Sequence, residues 1–100
     1  MLVDDARRIA AAIQERLNAG TSQAVKATVR ADELSPKSVP LGAGRPTFIS
    51  YFIEIADDTR MASLTLGQAA GLLEDLEPDW DPDRLFDAIR AMDVSVEETH

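Results

Sequence analysis

The chain has no cysteine, which excludes a disulfide framework, a thiolate metal site and a cysteine nucleophile. Histidine is almost missing as well. The single one, His100, is the last residue, so neither a Ser-His-Asp triad nor a histidine metal site can be assembled within a fold. No apolar run approaches the ~20 residues that a membrane-spanning helix needs. Asp4, Asp5, Arg7, Arg8, Glu15 and Arg16 interrupt the stretch where a signal peptide would be apolar. A soluble, cytoplasmic protein without membrane contact is expected.

Positive charge is scarce in one half only. Residues 1 to 50 hold five acids and seven bases, a balance of +2, whereas residues 51 to 100 hold thirteen acids and three bases, a balance of −10. The acidic half repels nucleic acid and anionic lipid over about a Debye length and favours a partner with a basic surface. The plainer reading is a host habit, since arginine far outnumbers lysine and alanine and aspartate are abundant.

One hundred residues form one small domain, in which roughly two thirds of the unfolded surface can be buried without staples. The organising stretch runs from Thr47 to Leu76. Ile49, Tyr51, Ile53 and Ile55 alternate to give one continuous apolar strand face that must be buried, while Phe48 and Phe52 share the opposite face with Ser50 and Glu54. Ala56 to Arg60 is a polar hairpin connection. Met61 to Leu66 then alternates again, with Ala62, Leu64 and Leu66 on one side.

Before this stretch, Leu2, Ala6, Ile9, Ala10, Ile13 and Leu17 make a helical stripe. Asp4 and Asp5 lie near its positive end, and Gly20 suits a left-handed C-terminal cap. Val25, Ala27, Val29 and Ala31 alternate with Lys26, Thr28, Arg30 and Asp32 as a half-buried strand. Residues 35 to 46 hold three prolines and two glycines and form a mobile or binding loop. Gly42-Ala43-Gly44 there, with Lys37 and Arg45, lacks the third glycine and the strand-to-helix setting of a dinucleotide site.

Thr65 and Gln68 have the spacing of a capping box, and Leu66, Ala69, Ala70, Leu73 and Leu76 form the stripe of a second helix that Pro78 ends. Asp81-Pro82 opens a third, short helix carrying Leu85, Phe86, Ile89 and Met92. Trp80, between acids at the corner, plugs the end of the core. The tail 95–100 has little to pack and is expected to fray. Asp79, Asp81 and Asp83 alternate like the opening of a calcium loop, but Arg84 and Arg90 occupy the positions where glycine and a bidentate glutamate belong. No acid lies in an apolar setting that would raise its pKa. No catalytic, cofactor-binding or metal-binding residue is therefore assigned, and no enzyme activity is expected.

The order helix, strand, strand, strand, helix over about Asp4 to Leu76 resembles that of the double-stranded-RNA-binding domain. That family grips phosphates with lysines at the start of its last helix. Leu66, Gly67, Gln68, Ala69 and Ala70 stand there in this chain, followed by acids, so no RNA-binding role is carried over.

The expected architecture is α+β: a three-stranded antiparallel meander of about Gln23 to Asp32, Thr47 to Ala56 and Met61 to Thr65, with one N-terminal and two C-terminal helices. With so few strands, all the helices are expected on the isoleucine face, leaving the phenylalanine face open. The functional expectation is a non-enzymatic acidic module that binds another protein, of the adaptor, antitoxin, immunity or phage-inhibitor type. Its charged surface is Glu74, Asp75, Glu77, Asp79, Asp81, Asp83 and Asp87, and its apolar one is Phe48 and Phe52, through which a homodimer would form. The alternative is a single-stranded nucleic-acid platform, with Phe48 and Phe52 stacking bases and Lys26 and Arg30 holding phosphates. The net charge opposes it.

Overall fold

The apolar alternation of the central strand sets the sheet. In the computed structural model, which describes residues 2–34 and 48–99 and the side chains of all of these except Leu2, Glu33, Leu34 and Phe48, β2 (Phe48–Ala56) lies between β1 (Lys26–Leu34) and β3 (Arg60–Thr65). Both pairings are antiparallel. Val29, Ile53 and Leu64 form one cross-strand row, and Ala27, Ile55 and Ala62 form the next. Ile53, Ile55 and Leu64 are fully buried. The phosphate-cradle reading of Gly42 to Gly44 and the loop 35–46 as a whole lie outside the described residues.

Among the described residues three helices complete the fold: α1 (Leu2–Ala19), α2 (Leu66–Asp75) and α3 (Pro82–Ala91). Among the described residues no helix is long and apolar enough to cross a membrane. The α1 stripe buries Ala6, Ala10, Ile13 and Leu17, α2 buries Ala69 and Leu72, and α3 buries Leu85, Phe86 and Ile89, all in one cluster with the inward rows of the sheet. The opposite face carries the rows Lys26–Ala56–Met61, Thr28–Glu54–Ser63 and Arg30–Phe52–Thr65. None of the apolar residues of those rows, Ala56, Met61 and Phe52, belongs to the core cluster or is packed against it. The protein is thus a two-layer α+β domain, with all its helices on the isoleucine face.

Local chemistry explains the helix boundaries. The Thr65 hydroxyl accepts the Gln68 N–H at 3.2 Å and the Gln68 side chain accepts the Thr65 N–H at 3.0 Å, closing the expected capping box. Asp81 caps α3 by accepting the Arg84 N–H at 2.8 Å, with Pro82 in the first turn. Helix α2 ends at Asp75, with Leu76 as its cap, earlier than the block at Pro78 implies. Asp93, just beyond the cap of α3, has φ of 61°, a left-handed conformation that aspartate tolerates.

Four sequence expectations are corrected. Among the described residues the sheet has four strands rather than three, because the tail expected to fray contributes β4 (Glu97–Glu98), paired antiparallel with Met61 and Arg60. Thr99 extends that pairing through its N–H to the Thr59 carbonyl at 2.7 Å. Strand β1 begins later than Gln23 and runs on to Leu34, since Thr21 and Ser22 bond to the α2–α3 corner and Gln23 turns back to α1. The isoleucine face is not buried throughout: Ile49 is 49% exposed and Tyr51 half-buried, because the helices cover only the other end of the hairpin. Gly20 lies outside the left-handed region and is needed for a different reason, a close approach of backbone to backbone.

Candidate functional site

The acidic surface is built on the α2–α3 corner, and α1 holds that corner in place. Thr21 donates its N–H to the Pro78 carbonyl at 3.1 Å. The Thr21 and Ser22 hydroxyls both donate to the Trp80 carbonyl, at 3.0 and 2.7 Å. Arg16 donates to the Leu73 and Leu76 carbonyls at 2.9 and 3.3 Å. Helix α2 has no base in its own last turn, so this arginine from α1 supplies the positive charge that the C-terminal dipole favours. Trp80, 9% exposed, closes the core at the corner as expected, and the Arg84 guanidinium lies over its ring at 5.1 Å.

Glu74, Asp75, Glu77, Asp79, Asp81, Asp83 and Asp87 are all exposed. Five of them, Asp75, Glu77, Asp81, Asp83 and Asp87, line one open groove of about 800 Å³ together with Trp80 and Arg84. Glu74 and Asp79 stand outside it. Three of the groove acids also hold the fold: Asp81 caps α3, Asp83 pairs with Arg60 at 2.7 Å, and Asp87 pairs with Arg90 at 3.0 Å. Asp75 and Glu77 have no ion-pair partner among the described residues. No group of three or more acids or histidines is placed there to hold a metal ion, again among the described residues. The chemistry that the groove offers is a concave, negatively charged wall around an aromatic edge.

Arg60 is the residue that sequence reasoning missed. Its guanidinium stacks on the Phe86 ring at 4.6 Å and bridges Asp57 at 3.0 Å and Asp83 at 2.7 Å. It therefore ties the β2–β3 hairpin to α3 beneath the groove. The signal was present in Asp57-Asp58-Thr59-Arg60, the spacing of an aspartate-capped turn. The Asp57 carboxylate accepts the N–H of Thr59 at 3.0 Å and of Arg60 at 2.7 Å. This holds the three-residue connection 57–59 without any positive φ, which short hairpin loops commonly use.

Burial is the largest influence on the Asp57 carboxyl and pushes its pKa up. The Thr59 N–H, the Arg60 side chain and the Arg60 N–H together outweigh it and hold the pKa below the ordinary 3.8. Arg60 loses some basicity to burial, but Asp83 and Asp57 keep its pKa above the ordinary value, so it stays charged. A carboxylate depressed in the folded state contributes stability that is present above its unfolded pKa and lost as pH falls through the folded one. Chemical denaturation should therefore show stability falling below about pH 3.8. Asp57→Asn should lower stability at neutral pH by about 1 kcal/mol, a figure discounted for water near the pair, and should flatten that acid limb. An unchanged acid limb in the variant would remove Asp57 from the account.

On the open sheet face, Phe52 is half-buried and stands between Arg30 and Thr65 in its row. The side chain of Phe48 is outside the described set. Arg30 pairs with Asp32 on its own strand at 3.2 Å. Lys26 and Arg30 are thus balanced on this face by Asp32 and Glu54. No family model, no curated protein and no solved structure matches the chain.

Proposed function

We propose that this protein is a non-enzymatic interaction module that docks a basic surface of another protein in the groove between α2 and α3. The observation that carries the reading is the gathering of Asp75, Glu77, Asp81, Asp83 and Asp87 around Trp80, with Arg84 the one base in the lining. Charge arranged in this way steers a basic partner and favours it over acidic ones. Asp75 and Glu77 are the informative members. They sit at the C-terminal end of α2, where the helix dipole disfavours acids, and among the described residues they hold nothing else in place.

Asp75→Lys combined with Glu77→Lys should leave the fold at least as stable as before while abolishing capture of the partner. The measurement pairs a melting curve with affinity capture from the source cell, and titrates a lysine- and arginine-rich peptide as a probe at two salt concentrations. Wild type should bind more weakly at high salt. If wild type and variant retain the same proteins and the same peptide at equal strength, the groove is not the docking surface.

The single-stranded nucleic-acid reading has one observation in its favour, the cross-strand neighbours Arg30 and Phe52 on the uncovered face. The Asp32 partner of Arg30 and the neighbouring Glu54 weigh against it, because phosphate contacts need uncompensated bases. A gel shift with mixed single-stranded RNA at low salt separates the two readings, and the groove reading expects no retardation.

A further inference from the structure

The two edges of the sheet differ. Strand β4 has two residues, Glu97 and Glu98, both exposed acids, and so short a charged edge offers little to pair with. Strand β1 is nine residues long and is the other edge. Its first outward groups are occupied from α1: Gln14 donates to the Val25 carbonyl at 3.1 Å and accepts the Ala27 N–H at 2.8 Å. Because N–H and C=O of every second residue point to the same side of a strand, Val29, Ala31 and Glu33 also present their backbone groups outward. Among the described residues these have no partner. Gln14 therefore marks where a protected edge ends and an open one begins.

We propose that this open edge pairs antiparallel with β1 of a second copy, about a twofold axis through Ala31, joining the two sheets into one continuous sheet. In that register Ala31 faces Ala31 of the other copy and Val29 faces Glu33, so the outward backbone groups of all three residues are satisfied. On the open face Arg30 stands opposite Asp32 of the other copy, and by symmetry this happens twice. The neighbouring twofold registers are worse. An axis through Arg30 sets arginine against arginine, and an axis through Val29 needs the Ala27 N–H that Gln14 already holds.

A second observation points to the same axis. Ala31 is exposed and pairs across to Tyr51, and Ile49, the exposed large hydrophobic of the described chain, is the next inward residue of β2. The twofold axis places the two copies of this uncovered apolar end side by side, in a row Tyr51–Ala31–Ala31–Tyr51. An isologous contact of this kind needs no second gene product and closes on itself. It uses neither the acidic groove nor Phe52, so it goes beyond the docking function and stands or falls apart from it.

Sedimentation over a range of protein concentration tests the pairing. Wild type should pass from monomer to dimer as concentration rises. Ala31→Pro removes one outward N–H and leaves the β1–β2 ladder intact, so it should stay monomeric with an unchanged melting profile. Arg30→Asp sets two like-charge pairs across the axis and should weaken the dimer by about tenfold or more. Arg30→Asp with Asp32→Arg should restore it to near the wild-type level. A wild type that remains monomeric up to about 100 μM overturns the proposal. So does a dimer that survives Ala31→Pro but is lost in Phe52→Ser, which would place the contact on the open sheet face.

Discussion

Gly20→Ala is expected to destabilise the protein by about 3 kcal/mol, a large share of the ~5–15 kcal/mol typical of a domain. A β-carbon at residue 20 would stand 2.2 Å from the Pro78 carbonyl oxygen and 2.9 Å from both the carbonyl carbon and the α-carbon of Pro78. All three are backbone atoms, and proline cannot adjust its φ to make room. The two corners must separate, and the Thr21 N–H then loses the Pro78 carbonyl. The Ser22 hydroxyl, in a residue only 2% exposed, loses the Trp80 carbonyl, and a buried donor left without an acceptor is costly in itself. Thermal melting should drop by roughly 12–24 °C. Gly67→Ala is the matched control. It lies in the first turn of α2 with nothing within 4 Å of the added carbon, so the better helix former should be neutral or stabilise by up to ~1 kcal/mol. Equal effects at the two positions would show that the Gly20–Pro78 approach does not constrain the fold.

The contrast between those glycines also shows what the sequence makes legible. Features determined by neighbours along the chain can be read directly: the Thr65–Gln68 box, the Asp81-Pro82 start and the α1 stripe all depend on spacings of a few residues. The alternation in the strands assigned Val29, Ile53 and Leu64 to one face and Arg30, Phe52 and Thr65 to the other, and the cross-strand register keeps those assignments, whereas Leu66, read as continuing β3, opens α2. Periodicity does not reveal where coverage of a face ends. Ile49 continues the pattern of Ile53 and Ile55 but lies beyond the reach of the helices. Strand β4 was illegible because two consecutive glutamates carry no alternation, and they become a strand only by finding Met61 and Arg60 across a gap in sequence. Gly20 was assigned to its own helix end because its true neighbour, Pro78, is fifty-eight positions away. The acids of the candidate groove were visible as composition. That five of them share one concavity depends on the α2–α3 corner, which no local spacing encodes.

Phe86→Ala should lower stability by about 3–5 kcal/mol, because the ring is fully buried and ties α3 to the rest of the core. Part of that cost belongs to Arg60, whose guanidinium rests on the ring at 4.6 Å while it holds Asp57 and Asp83. Phe86→Leu separates the two contributions, since it keeps most of the apolar volume and removes the aromatic face. It should cost less than Phe86→Ala, and a double-mutant cycle with Arg60→Met should give a coupling of about 1 kcal/mol between ring and guanidinium. The same variant has an electrostatic readout. Without its aromatic seat, Arg60 is free to leave Asp57, so the Asp57 carboxyl should titrate closer to the ordinary 3.8 when followed by NMR. Asp83, 84% exposed in the groove wall, would at the same time lose the cation that partly offsets it, making the groove more negative and raising its affinity for a basic peptide. Phe86 would then act at a distance on a surface that it does not touch, through one arginine. A Phe86→Leu variant with the wild-type Asp57 titration and no coupling to Arg60→Met would show instead that the hairpin holds Arg60 unaided, and that core and groove are independent.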